Sequence, residues 1–390
     1  MSIVERIGPL EPTGGLGPLT DPWHAAELWF TALGLRRPVV SEETLKNYRR
    51  EVDRLRWYCE TFEIALPNNW SIQDLSQYLT FLRERTQDFV STSTKASDPG
   101  WTPFKGPLAE SSVANCQKVL HALYRFWMDV GYVSRTPFAG VGGGSTRQAS
   151  AGARRAVQSS LVDYVVDAMD QRDKSGRVEH LTYLRNKFVI RLLEKTGLRA
   201  DETAAANMGH VQPFSDVATG RVHWSIWIEK GKGGTQGRVP VPDSVMHDFR
   251  VYRLAYGLPD TPQNHETQAL ILSPYTRRAL GDRIASAKDR RYFGMWGEIR
   301  NRGRIWEIVT KEFRAAAALL DAEGRSADAD LIRNVSPHWL RHTAATTLVL
   351  QGVDLRMVAK ALRHRDIRTT MGYTDPDFLD LARAISDVGK

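Results

Sequence analysis

Apolar side chains recur at steps of three and four over residues 41–63, where Leu45, Tyr48, Val52, Leu55, Cys59 and Phe62 share one face. That period predicts a helix. Ser41 stands where a cap accepts first-turn amides, and Glu42 and Glu43 suit the positive end of the helix dipole. A second helix is expected from the capping box Ser71-x-x-Asp74, burying Leu75, Tyr78, Leu79 and Leu82. A third runs from about Ser112, with Val113, Cys116, Val119, Leu120, Leu123 and Trp127 inward. The stretch 91–108 is polar and carries Gly and Pro, so it reads as a loop. Residues 1–20, rich in Gly and Pro, read as a flexible tail. Residues 21–142 are thus expected to form a small helical bundle.

Residues 141–153, Gly-rich and small, have the composition of a linker, and the boundary is drawn at 143–155. Such a tether lets two domains clasp something between them, although a plain surface loop has the same composition. Residues 156–390 form the second expected domain. Helical periods lie near 157–170 and 178–196. Residues 223–228 alternate, 237–242 is short and β-like, and the Gly- and Lys-rich turn between them makes a hairpin with Lys232 at its tip. Helical patterns resume at 243–256 and 305–322, and a close series follows at 338–351, 354–363, 367–374 and 377–386. The expected fold class is mainly α with a small β-sheet, in two domains.

Composition then narrows the function classes. Of 390 residues, 42% are hydrophobic and 25% charged, which suits a globular protein able to bury its own core. Cys59 and Cys116 are the only cysteines, which excludes a disulfide scaffold and a cysteine-rich zinc module. No run of about 18 apolar residues occurs, so no membrane span is expected. Met1 to Thr20 lacks a basic start followed by an apolar stretch, so no signal peptide is expected and the cytoplasm is the expected compartment.

The formal net charge is +8. Residues 1–150 balance 16 basic against 16 acidic side chains, so the whole excess lies in residues 151–390. Residues 275–304 alone carry nine basic and three acidic side chains, a net of +6. A local basic cluster is an electrostatic footprint for nucleic acid, and a solvated basic loop would look the same.

Four polar clusters in the second domain carry candidate chemistry. Arg199, with Glu202 three residues on, follows the helix-stopping Gly197. Lys232 sits in the hairpin. His338 and Arg341 share one helix face behind Ser336-Pro337, which suits a helix start. His364 stands at a helix end, and Tyr373 one short helix later. Taken singly, each has an ordinary reading: a salt-bridge arginine, a solvated lysine, a helix-start histidine, a core or surface tyrosine.

Together they resemble the tyrosine recombinases, the phage-type integrase family. The resemblance covers nearly the whole chain: helical domain, linker, Arg box, Gly-Lys-Gly hairpin, His-x-x-Arg box, Leu-x-His box and Tyr. Its most specific part is His338-Trp-Leu-Arg341-His-Thr-Ala-Ala-Thr346, followed by His364 and by Thr369-Thr370-x-x-Tyr373. The resemblance implies an N-terminal core-binding (SAM-like) bundle and a catalytic domain. It also implies a site-specific DNA recombinase working through a 3′-phosphotyrosine link in a tetrameric synapse. Tyr373 matches the nucleophile, Arg199 and Arg341 the phosphate-binding arginines, and Lys232 the general acid for the leaving 5′-oxygen. His338 matches the general acid/base, His364 the last supporting residue and Glu202 a buttressing acid. Candidate DNA contacts in the basic segment are Arg277, Arg278, Arg290, Arg291, Arg300, Arg302 and Arg304.

The implied partners are double-stranded DNA carrying specific recombination sites and further copies of the chain. The expected assembly is a homotetramer on DNA from protein that is monomeric or weakly associated when free, with an accessory directionality factor as a further partner. No membrane partner, no cofactor and no metal are expected, since no carboxylate cluster suited to Mg²⁺ is evident. Two alternatives stay open: a type IB topoisomerase-like nicking-closing enzyme, and a catalytically silent DNA-binding accessory protein.

This chain departs from the family pattern in three places. Arg363 stands where the family usually has Gly, so it either strains a tight turn or reaches a phosphate. The 106 residues from Lys232 to His338 exceed a minimal member, and the basic segment lies in that excess. Only 17 residues follow Tyr373, where Phe378, Leu381, Ala382 and Ile385 repeat at helical spacing and suit docking either in cis or on a neighbouring protomer. An extra N-terminal arm-binding domain is not expected, because the helical region starts near Asp21.

Replacing Arg277, Arg278, Arg290 and Arg291 together by neutral residues is expected to flatten the log–log salt dependence of DNA affinity, by about 0.9 for each phosphate no longer neutralised. A filter-binding series with an unchanged slope would assign the segment to the surface or to protein contacts.

Overall fold

The computed structural model describes residues 21–37, 40–140, 156–229, 236–274 and 296–363. It divides into two compact units, Met1–Thr146 and Arg147–Lys390.

The first unit is helical. Helix α1 (Pro22–Leu35) opens with Asp21 accepting the Trp23 amide at 3.0 Å and with Pro22 in its first turn. Apolar residues lie on nearly every side of α1, so it lacks the contrast between faces that a periodicity reading needs. Helix α2 (Glu42–Thr61) starts from Ser41, whose side chain accepts the Thr44 amide. Helix α3 (Ile72–Glu84) has the full capping box, with Asp74 accepting the Ser71 amide at 2.7 Å and Ser71 accepting the Asp74 amide. Helix α4 (Glu110–Asp129) begins two residues before the expected Ser112. It packs against α1, α2 and α3, and buries Val113, Cys116, Leu120, Leu123 and Trp127. The core holds a buried charge pair, Glu51 with Arg54 at 2.9 Å, and Arg50 also reaches Glu51.

In the second unit, helices α5 (Ser159–Asp170) and α6 (Arg177–Thr196) are followed by the short α7 (Ala200–Ala205). Strands β1 (Val211–Ser215), β2 (Val222–Ile228) and β3 (Gly237–Val241) form an antiparallel sheet in that order. The register pairs Val211 with Ile226 and Ile228 with Gly237. Helix α8 (Asp243–Ala255) follows. Strands β4 (Leu272–Pro274) and β5 (Trp296–Glu298) make a separate two-stranded ladder. Helices α9 (Arg302–Ala322), α10 (Ser326–Ile332), α11 (Pro337–Leu350) and α12 (Leu355–Ala361) complete the described residues.

Helix α6 is the hub of this unit. It packs against α5, α8, α9, α11, β3 and β4. Its buried residues include Phe188, Val189, Leu192 and Leu193, and Phe188 stacks on Phe249 of α8 with ring centroids 4.9 Å apart. A buried ion pair, Arg253 to Glu266 at 2.8 and 2.9 Å, fixes the loop after α8.

The fold is mainly α with a small sheet, and the β2–β3 hairpin stands where alternation placed it. Strand β1 escapes a sequence reading because Pro213 interrupts it, and it is accommodated at the sheet edge. Strands β4 and β5 have three residues each and α10 has seven, too few for a period to show. The expected helices at 367–374 and 377–386 lie outside the described residues. No described helix is long and apolar enough to cross a membrane.

Phe313 of α9 is fully buried in the second unit's core. Phe313→Ala is expected to lower stability by about 3–5 kcal/mol through reduced burial and the cavity left behind. Urea unfolding followed by helical circular dichroism checks this, and an unchanged midpoint would contradict the packing described.

Candidate active site

Helix α6 ends because Gly197 takes a left-handed conformation, φ +62°, which a side chain disfavours. Space demands glycine there as well. A Cβ at position 197 would lie 2.5 Å from Leu362 Cδ2 and 3.3 Å from Ala344 Cβ. This close approach lets the end of α6 press directly on α11 and on the residue that follows α12.

Arg341 uses that approach. It is 2% exposed and sits one turn into α11. Its Nη1 donates to the Gly197 carbonyl at 2.6 Å, and its Nη2 donates to the Leu362 carbonyl. One guanidinium thus ties together the Arg199 segment, α11 and the segment leading to His364.

Two residues past Gly197, Arg199 caps α7. Glu202, in the first turn of α7, folds back on it: Oε2 accepts the Arg199 amide at 2.9 Å, and Oε1 accepts Arg199 Nη1 at 2.7 Å. Glu202 Oε2 also accepts from Nη2 of Arg363. The Glu202 side chain is 2% exposed, Arg363 is 6% exposed and Arg199 is 24% exposed. Arg199 is therefore held on one side by a buried carboxylate and reaches solvent on the other. Burial pushes the Glu202 carboxyl up, but Arg363, the Arg199 amide and the Arg199 guanidinium together hold it below its ordinary 4.5.

His338 lies exposed near the start of α11, one turn before Arg341. Its Nε2 is 3.0 Å from Nε2 of His342, with the rings at 75°. One nitrogen of that pair donates and the other accepts, so the tautomers of the two rings are coupled.

Of the expected site residues, Arg199, Glu202, His338 and Arg341 are described, and the bonds above link Arg199, Glu202 and Arg341 through the shared ends of α6 and α12. Lys232, His364 and Tyr373 lie outside the described residues. So do Arg277, Arg278, Arg290 and Arg291. Arg300 is exposed, with its side chain 39% accessible, and also holds neighbouring segments together. It donates to Glu298 at 3.0 Å, Asn207 Oδ1 at 2.6 Å and the Thr267 carbonyl at 2.9 Å, bracing β5 against the residues after α7. Arg302 and Arg304 are exposed on the first turn of α9, near Asp201 at 3.8 Å and bonded to Glu307, respectively.

Two contacts of this arrangement escape a sequence reading. His342 stands beside Arg341 in the chain, yet nothing in the chain shows that helical geometry sets it against His338. The Arg363–Glu202 bond joins residues 161 apart, and its only sequence trace is an arginine in a turn.

Chemically, a partly exposed guanidinium such as that of Arg199 suits an anionic oxygen centre. Guanidinium stays charged at all working pH values and meets phosphate oxygens in fixed geometry. Among the described residues no group of three or more His, Cys, Asp or Glu is placed to hold a metal ion.

The lowered Glu202 value has a testable consequence. A depressed carboxylate adds stability that is complete above the unfolded value and is lost as pH falls through the folded one. Urea midpoints from roughly pH 6 to 3 should therefore fall more steeply for wild type than for Glu202→Gln. Parallel curves would contradict the assigned cause.

Comparison with known proteins now gives this geometry a context. The phage integrase family model matches residues 163–379. Tyrosine recombinase XerD of Mycobacterium tuberculosis (strain CDC 1551 / Oshkosh) is 27% identical over 343 residues, covering 86% of this chain and 88% of the relative. Tyrosine recombinase XerC of Pseudomonas putida (strain F1) is 24% identical over 343 residues, covering 88% of each. Among solved structures, the XerH site-specific recombinase in a post-cleavage complex with a palindromic difH substrate has a TM-score of 0.57 at 16% identity, over 95% of this chain and 86% of that one. A lambda integrase (75-356) dimer bound to a COC′ core site has a TM-score of 0.54 at 14% identity, over 90% and 95%. At such identities the two structures speak for the fold. With the family model spanning more than half of its residues, the chain belongs to the phage integrase family, the tyrosine recombinases.

Proposed function

We propose that the protein is a site-specific DNA recombinase that cuts and rejoins duplex DNA through a 3′-phosphotyrosine intermediate, in a tetramer assembled on two sites. The observation that carries this reading is the bonded cluster of Arg199, Glu202 and Arg341 at the meeting of α6, α11 and the end of α12. It places one fixed and one solvent-reaching guanidinium in a single neighbourhood, beside the helix that carries His338.

In the proposed reaction the Tyr373 oxygen attacks the scissile phosphorus and the 5′-oxygen leaves. Charge builds on the non-bridging oxygens, where Arg199 and Arg341 stabilise it. A tyrosine with pKa near 10 is a weak nucleophile at neutral pH, so surrounding cations and His338 as proton acceptor assist it. Lys232 gives the leaving 5′-oxygen its proton, and His364 supports the charged transition state. The phosphotyrosine bond keeps the energy of the broken diester, so rejoining to a second 5′-hydroxyl needs no nucleotide. Duplex DNA carrying recombination sites is the proposed substrate, in line with the DNA held in the difH and core-site complexes. Residues 21–142 are proposed to grip the DNA, with Arg277, Arg278, Arg290, Arg291, Arg300, Arg302 and Arg304 as further phosphate contacts.

A suicide duplex nicked beside the cleavage site should trap a covalent protein–DNA adduct with wild type and none with Tyr373→Phe. Adduct formation by Tyr373→Phe at the wild-type level would refute the assignment. Relaxation of a supercoiled plasmid lacking any site would move the reading to a nicking-closing enzyme.

A further inference from the structure

Arg363 is an anomaly among the described residues. Its φ is +52°, and apart from glycines only Glu63 shares a positive value. Glu63 lies exposed in a loop, whereas the Arg363 side chain is almost wholly buried. A buried, bulky side chain in a left-handed conformation is uncommon and its cost must be offset by its surroundings, and such residues cluster at functional sites.

The surroundings here are identifiable. The preceding carbonyl, Leu362, accepts from Arg341, and the Arg363 amide donates to Lys360 at 3.0 Å. The aliphatic stem lies against the first residue of β3: a Cβ on Gly237 would come within 3.3 Å of Arg363 Cδ. The guanidinium ends on Glu202 Oε2, while Nε and Nη1 are buried with no hydrogen-bond partner among the described residues. Burial pushes this guanidinium down from its ordinary value, Glu202 pulls it up and Arg199 pushes it down again. Hydrophobic packing alone does not explain a strained, buried and incompletely bonded cation, which is a costly feature for a fold.

Charge explains it. Arg199 and Glu202 alone form a neutral pair, and a neutralised arginine attracts a phosphate weakly. Arg363 shares the same carboxylate, so the three groups together carry one net positive charge. We propose that Arg363 is a positioning residue for strand transfer: by sharing Glu202 it leaves the Arg199 guanidinium both fixed and electropositive toward the scissile phosphate. This rests on the recombinase reading above, within which it assigns a role to a residue that the catalytic constellation leaves unused.

The test uses the full chain, a nicked suicide duplex and single-turnover cleavage, with rates normalised to the fraction of protein that binds a half-site. Arg363→Met keeps the stem and the backbone demand but removes the charge. It should cleave about 100-fold more slowly, with half-site affinity changed by less than about threefold. Arg363→Lys, which keeps the charge, should lose no more than about tenfold. The deciding variant combines Arg363→Met with Glu202→Gln. With the carboxylate neutralised, Arg199 needs no compensation, so the double variant should cleave within about tenfold of Glu202→Gln alone and faster than Arg363→Met. It also buries no carboxylate at this position, so it remains informative if Arg363→Met folds poorly. Wild-type cleavage by Arg363→Met would overturn the proposal. So would a double variant that falls about 100-fold below Glu202→Gln, the result of a purely structural role. Failure of wild type to trap an adduct would instead count against the recombinase reading itself.

Discussion

Arg341 donates to the main-chain carbonyls of Gly197 and Leu362, and through those two bonds three segments distant in sequence meet at one place. A main-chain carbonyl has no rotamer to lose, so a guanidinium held by two of them is fixed as firmly as the backbone itself. The arrangement favours a glycine at 197, because its φ disfavours a side chain and a Cβ there would collide with Leu362 and crowd Ala344. Packing and chemistry therefore share one constraint: the close approach that closes the core also aims the site.

Around that anchor the charges are arranged in layers. Arg341 is buried and bonded to backbone. Arg199 is partly exposed and bonded to Glu202, which is itself buried and shared with Arg363. Breaking a buried pair by removing one partner is far more harmful than replacing both. The cluster thus behaves as a unit, and the effects of its members are not expected to add. Preorganised positive charge in a partly enclosed site is the most effective way to stabilise a phosphoryl transition state.

Long amphipathic helices were readable from the chain because their faces contrast: α2, α3, α4, α6 and α9 all follow the apolar period or its caps. Helix α1 was not, since apolar residues surround it. Strand β1 was hidden by Pro213, and β4, β5 and α10 by brevity. For the site, local signals such as a helix-stopping glycine and a proline-led helix start marked out polar clusters with ordinary readings, and only the resemblance to the tyrosine recombinases joined Arg199, Glu202, His338 and Arg341. The bonds among them were not legible. Arg341 to Gly197 spans 144 residues, and Arg363 to Glu202 spans 161, so tertiary packing alone creates them. Nor were the bonds of Arg300 to Asn207, Thr267 and Glu298 legible, because no local pattern encodes their proximity.

If these arginines serve one covalent event at Tyr373, proteolysis of the trapped protein–DNA adduct followed by mass spectrometry should yield a single nucleotide-bearing peptide, containing Tyr373 and linked through a 3′-phosphate. A nucleotide on any other residue, or a 5′-phosphate link, would contradict it.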